Sequence, residues 1–242
     1  MSQMNIPEFV PHDLQTLSIE ISRSQLTQLA RFLDLLLEAN RHFNLTAIRD
    51  GDEAWRRHII DSLTLIPFLG HVTSGESVVD VGTGGGLPGI PLAIVRNDLR
   101  VVLLEATGKK AQFCERTVQT LGLRNIQVVN DRAENIGHRP SHREQYAAAV
   151  CRAIGPITQV LEYAAPLVRI SGNIFAMKGP KAKEELNSAG DALDLLGSCE
   201  VDVFEAYPPI FGRNTVNIMI TKRSKTPKAY PRRPGVPRSD PL

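Results

Sequence analysis

Apolar positions recur with two different periods along the 242-residue chain. Over residues 24–40, Leu26, Leu29, Ala30, Leu33, Leu36 and Leu37 fall at helical spacing, which gathers them on one face, with Ser24 at the start and Asn40 at the end. A second helix is predicted from a cap at Asp50 to Asp52, with Trp55, Ile59, Ile60 and Leu63 on its buried side. From Ser77 the period changes, and short apolar runs alternate with helical segments. Residues 77–81, 100–105, 126–130, 146–151 and 172–177 read as strands. Runs such as Val101-Val102-Leu103-Leu104 lack polar alternation, as expected of central parallel strands covered on both faces. A last helix near 181–196 precedes two runs, 199–207 and 215–221, spaced to pair antiparallel at the sheet edge.

The pattern predicts an α/β fold with a doubly wound, mostly parallel, seven-stranded sheet and an N-terminal helical extension. Three regions follow: the extension over 1–70, a Rossmann-like domain over 71–223, and a basic, Pro-rich tail over 224–242 that reads as extended.

Composition adds exclusions. Hydrophobic residues make up 42% and charged residues 22%, ordinary for a globular chain, and no apolar run approaches the roughly 18 residues of a membrane span. The first twenty positions lack the features of a secretory signal, so a cytoplasmic protein is expected, with monomer as the expected state. Cys114, Cys151 and Cys199 are widely spaced and predict reduced thiols. The six histidines show no ligand spacing, and no metal site is expected. The formal net charge of +2 conceals a division: the stretch from Thr221 onward carries +6 and the remainder −4. That imbalance points to a polyanionic partner or to a solvated tail.

Candidate chemistry sits where the first strand meets the segment Asp80-Val81-Gly82-Thr83-Gly84-Gly85-Gly86-Leu87-Pro88-Gly89. Glycines there let a ligand approach bare backbone. Read from Gly84, the loop satisfies Gly-x-Gly-x-x-Gly, so a nicotinamide or flavin dinucleotide must be weighed. The strand phase instead gives Asp-x-Gly-x-Gly-x-Gly, with Asp80 close to the loop, where it would repel a pyrophosphate. S-adenosylmethionine has no phosphate and carries a sulfonium and an ammonium, so Asp80 can attract it or brace the loop amides. Glu105, ending the second strand, is placed to accept ribose hydroxyls. Asp131-Arg132-Ala133-Glu134 follows the third strand, where an adenine contact belongs, and Arg152 ends the fourth, beside the transfer site. The Pro-Pro-aromatic motif of exocyclic-amine methylation and the Pro-Cys nucleophile of cytosine-C5 methylation are both missing at that strand end. Cys151 reads as core packing.

The segments at 40–48, 58–63, 80–91, 108–110 and 132–134, with Arg152-Ala153 and 230–235, together resemble RsmG, or GidB, the family of bacterial 16S rRNA guanine-N7 methyltransferases. The resemblance runs from about residue 15 to the last residue. It implies an S-adenosylmethionine methyltransferase fold of class I, with Gly82, Leu87, Ala133, Glu134 and Arg152 contacting the cofactor, alongside Asp80, Gly84, Gly86 and Glu105 from the loop reading. The implied acceptor is a guanine N7 in the decoding region of 16S ribosomal RNA, as free RNA or in the small subunit. Guanine N7 has a lone pair and no proton, so no general base is expected. Lys178, Arg232 and Arg233 are the RNA-binding candidates. A nucleotide-linked oxidoreductase and a non-catalytic RNA-binding assembly factor remain the competing classes. His58 and Asp61 share a helical face and are left without a role.

Overall fold

The computed structural model describes residues 6–242; positions 1–5 of the expected extension, and the side chain of Cys199, lie outside the described residues. Helix α1 (Phe9–Thr16), which the apolar periodicity does not single out, buries Val10 and Leu14. Helix α2 (Arg23–Asn40) starts in a reciprocal capping box, the Ser22 side chain accepting from Gln25 N–H and the Gln25 side chain accepting from Ser22 N–H. Helix α3 (Gly51–Ala54), capped by Asp50, continues through a π-helical stretch (Trp55–Ile60) into α4 (Asp61–Leu63). The second expected helix is therefore present with a widened central turn, a feature often found at functional sites. Trp55, His58, Ile59, Ile60 and Asp61 are all buried by it.

The sheet follows with β1 (Ser77–Val81), α5 (Gly89–Val95), β2 (Arg100–Leu104), α6 (Gly108–Leu121), β3 (Ile126–Val129), α7 (Ala133–Ile136), β4 (Tyr146–Arg152), α8 (Ile157–Ala164) and β5 (Val168–Lys178). Helices α9 (Ala182–Asn187) and α10 (Gly190–Leu195) lead to β6 (Ser198–Glu205) and β7 (Val216–Lys222). Strand order is β3-β2-β1-β4-β5-β7-β6, and β7 runs antiparallel to both neighbours. The seven-stranded, doubly wound α/β sheet is thus as the sequence implies. One face packs on α8, α9 and α10 around Val160, Leu161 and Ile174; the other lies under α5 and α6, with α2 and the π-helical stretch outside, around Leu33, Trp55, Ile90 and Phe113.

Three expectations need correction. The single helix over 181–196 is two helices, because Asn187, Ser188 and Gly190 are weak helix formers placed together at its middle. Strand β5 begins earlier than position 172, with its register against β4 shifting between Tyr146 and Ala148. The tail is not extended. Beyond β7 the chain turns back, Arg143 donates to the carbonyls of Thr226, Pro227 and Tyr230, Pro231 and Pro237 are buried, and α11 (Val236–Ser239) forms.

Candidate cofactor site

The glycine loop leaves the carboxyl end of β1 and returns into α5. Gly82 and Gly84 take positive φ, +69° and +60°, and are half-buried, whereas Thr83 between them is buried. A Cβ on Gly84 would come no nearer to any atom than Gly82 O at 3.9 Å, so this residue borders open space. Gly86 differs: a Cβ there would come within 2.4 Å of Ile90 Cδ1, so its bareness serves loop-to-helix packing rather than ligand approach.

Asp80 lies behind the loop, fully buried. Its Oδ2 accepts from Gly89 N–H at 2.7 Å and from the Thr83 hydroxyl at 2.5 Å, while Oδ1 has no hydrogen-bond partner. Burial pushes its carboxyl up to about 6, against the pull of those two donors and of Arg152. Of the two roles open to it, bracing the loop is the one these hydrogen bonds describe.

Glu105 stands at the mouth. Its Oε2 accepts from Gly84 N–H at 2.9 Å and its Oε1 from Thr107 N–H at 2.7 Å, so one carboxylate joins the loop after β1 to the start of α6. Asn130 Nδ2 donates to the Glu105 carbonyl at 2.8 Å and holds the third strand end alongside. A dinucleotide pyrophosphate would need the Gly84 amide and would meet a fixed carboxylate instead. The same carboxylate has lone pairs left for ribose hydroxyls, and its charge suits a cationic ligand.

Facing the loop from the end of β4 is Arg152, half-buried, whose guanidinium donates to the Arg57 carbonyl at 3.0 Å and lies 3.5 Å from His58 Nδ1. His58 Nε2 sits 2.7 Å from Thr46 Oγ1, which also accepts Ile48 N–H. Burial first, then the charge of Arg152, lowers His58 to about 4, so the ring is neutral. One turn further, Asp61 accepts from the Tyr207 hydroxyl, and Arg213 donates to the same hydroxyl at 3.0 Å. Burial raises Asp61, opposed by Tyr207 and by Arg152, Arg213 and Arg57. This network ties the helical extension to β4 and to the β6–β7 connection. Sequence reasoning noted the His58 and Asp61 pair but missed Thr46, Tyr207 and Arg213, whose separations in sequence hide the contact.

Other candidates are less free than expected. Ala133 and Glu134 open α7 and are buried, and Glu134 Oε1 accepts Gly235 N–H at 2.9 Å from the returning tail. Leu87 is buried where the loop enters α5. Lys178 donates to Gly155 O and pairs with Glu185 at 2.7 Å, and Arg232 pairs with the buried Glu162 at 2.7 Å. Arg233 is exposed. The structure therefore brings together Gly82, Gly84, Glu105 and Arg152 around the strand ends, sets Asp80, Gly86 and Leu87 behind them, and leaves Lys178 and Arg232 engaged in internal ion pairs.

Residues 25–207 match the GidB family, described as rRNA small subunit methyltransferase G. The chain belongs to this family. Among curated relatives, the ribosomal RNA small subunit methyltransferase G of Pelotomaculum thermopropionicum is 38% identical over 98% of this chain and 99% of its own. That of Moorella thermoacetica is 40% identical over 93% of each. The fold of this chain also resembles that of solved proteins distant in sequence. A putative S-adenosyl-L-methionine-dependent methyltransferase from Methanococcus maripaludis superposes with a TM-score of 0.55 at 15% identity, covering 72% of this chain and 91% of that one. The M. jannaschii TYW2 structure, in complex with AdoMet, gives 0.51 at 14% identity, covering 63% and 71%.

Two surface hollows lie away from the carboxyl ends of the strands. One sits at the amino ends of β1 to β4, near Arg100, Arg124 and His142, and the other along the outer side of α2, between Arg31 and Arg49. Among the described residues no cluster of His, Cys, Asp or Glu could hold a metal ion, and no helix is long and apolar enough to cross a membrane.

Proposed function

We propose that this chain transfers the methyl group of S-adenosylmethionine to N7 of a guanosine in the decoding region of bacterial 16S ribosomal RNA, acting as a cytosolic monomer. The observation that carries the cofactor choice is the Glu105 carboxylate on the Gly84 amide, 2.9 Å away, which removes the donor a dinucleotide phosphate would use and offers a cation an anionic wall. Family membership supplies the ribosomal RNA substrate class.

The cofactor supplies an electrophilic methyl on a sulfonium, and guanine N7 attacks through an in-plane lone pair without losing a proton. The chain's own residues therefore have to align and stabilise rather than abstract. Gly82 and Gly84 present backbone, Glu105 orients the sugar, and Ala133 with Glu134 borders the adenine. Arg152 is set to orient the cofactor carboxylate or the base, and the neutral His58 beside it adds no second positive charge to a site that receives a cationic donor. Arg233 is exposed for RNA phosphate.

The test is transfer of labelled methyl from S-adenosylmethionine to small ribosomal subunits and to naked 16S RNA, with N7-methylguanosine mapped in the product. Label at N7 of one guanosine is expected. Heat on titration with NAD but none with S-adenosylmethionine would favour the oxidoreductase class. Cofactor binding without any transfer would favour a silent assembly factor. Arg152→Ala is expected to lower cofactor affinity or turnover at least tenfold, the scale of one lost charge-assisted contact.

A further inference from the structure

The tail is welded to the short helix that borders the proposed adenine position. Arg232 donates three hydrogen bonds to one fully buried carboxylate, from its backbone N–H and Nε to Glu162 Oε1 at 2.8 Å each and from its second terminal nitrogen to Oε2 at 2.7 Å. The same guanidinium donates to the Asp240 carbonyl at 2.8 Å and so also pins the turn that carries α11. On either side of Arg232 the tail meets α7 and the residue that caps it. Pro231 lies against Gly137, where a Cβ would come within 2.8 Å of the proline ring, and Gly235 N–H reaches Glu134 Oε1 at 2.9 Å. His138 Nε2 adds a 2.7 Å contact to the Pro231 carbonyl. Four residues of helix cannot hold their own geometry in water, so α7 takes its position from what packs on it.

We infer that Arg232 is a positioning residue of the cofactor site: by locking the tail on Glu162 it holds Gly235 N–H on Glu134 Oε1 and so fixes the carboxylate whose Oε2 would accept the N6 amine of adenine. The inference rests on the proposed S-adenosylmethionine reading of the site. It reassigns Arg232 from the RNA contact that its basic neighbourhood suggests. A guanidinium already bound to a buried carboxylate has few donors left for phosphate, and it releases no counterion on binding RNA.

The experiment titrates S-adenosylhomocysteine, and its inosine analogue that carries oxygen in place of the amine, into the full-length protein and into Arg232→Ala, Arg232→Lys and Glu134→Gln. Wild type is expected to prefer the amine form. Arg232→Ala should weaken the amine form about tenfold while the analogue is little affected, so that the preference disappears, the size expected for one charge-assisted bond. Arg232→Lys, which keeps the charge on Glu162, should recover part of the preference, and Glu134→Gln should lose it. The salt dependence of RNA binding should be the same in wild type and in both Arg232 variants. If Arg232→Ala shows no cooperative thermal transition, Arg232→Lys and Glu134→Gln decide. An undiminished amine preference in the folded variants, or a loss confined to RNA binding with a flatter salt slope, would overturn the inference. Failure of the wild type to bind S-adenosylhomocysteine at all would instead overturn the cofactor reading beneath it.

Discussion

Asp80 and Gly89 are joined across the glycine loop, the amide of the first residue of α5 donating at 2.7 Å to a carboxylate one residue before the end of β1. The Thr83 hydroxyl shares that oxygen, so a single buried side chain sets both ends of the loop. Replacing Asp80 by Ala leaves two buried donors without an acceptor, at about 2–4 kcal/mol, whereas Asp80→Asn keeps one acceptor and costs less. Urea unfolding of both variants measures this. A loss below about 1 kcal/mol in Asp80→Ala would show that the loop closes without the carboxylate.

His58 makes stability depend on pH in a defined direction. Its folded value of about 4 lies below the unfolded 6.5, so the unfolded chain takes up the proton first as pH falls. The contribution of the neutral ring is complete above pH 6.5 and is lost as pH falls through about 4, amounting to about 3 kcal/mol across that window. His58→Gln removes it. The difference in unfolding free energy between wild type and variant should shrink by that amount from pH 7 to pH 4, and a difference independent of pH would contradict the assignment.

Burial, and then the charge of Asp80, raises the thiols of Cys114 and Cys151 far above their ordinary value. Both should resist iodoacetamide at pH 8 in the native state and react on unfolding, measured by mass spectrometry in a Cys199→Ser background. Cys151→Ala should retain methyl transfer while losing about 1 kcal/mol of stability to a small cavity. Abolished transfer in a folded Cys151→Ala protein would require a covalent thiol mechanism, which N7 chemistry does not use.

Arg233 is the exposed member of the tail pair. Arg233→Ala should weaken RNA binding evenly across sequences and lower the slope of log affinity against log salt by about 1, read by filter binding between 50 and 200 mM salt. Equal slopes for the variant and wild type would place the RNA elsewhere.

The sheet was readable because its strands are covered on both faces, which writes them as unbroken apolar runs such as Val101 to Leu104. The loop was readable because Asp80, the glycines and Glu105 lie within one β-α-β unit, where spacing stands in for geometry. The Asp61–Tyr207–Arg213 network was not, since its members come from the extension and the β6–β7 connection, and no local period links them. The ion pair of Arg232 was hidden for a related reason. A basic residue among prolines looks solvated until its partner, Glu162, is seen buried on α8.

The clasp between Gly235 and Glu134 spans 101 positions of sequence. A nascent chain that has already folded its first strands must therefore wait for this amide, for roughly 5–20 s at ordinary rates of synthesis. Until then α7 lacks the amide that braces it, and the last residues made complete the setting of a helix in the middle of the chain.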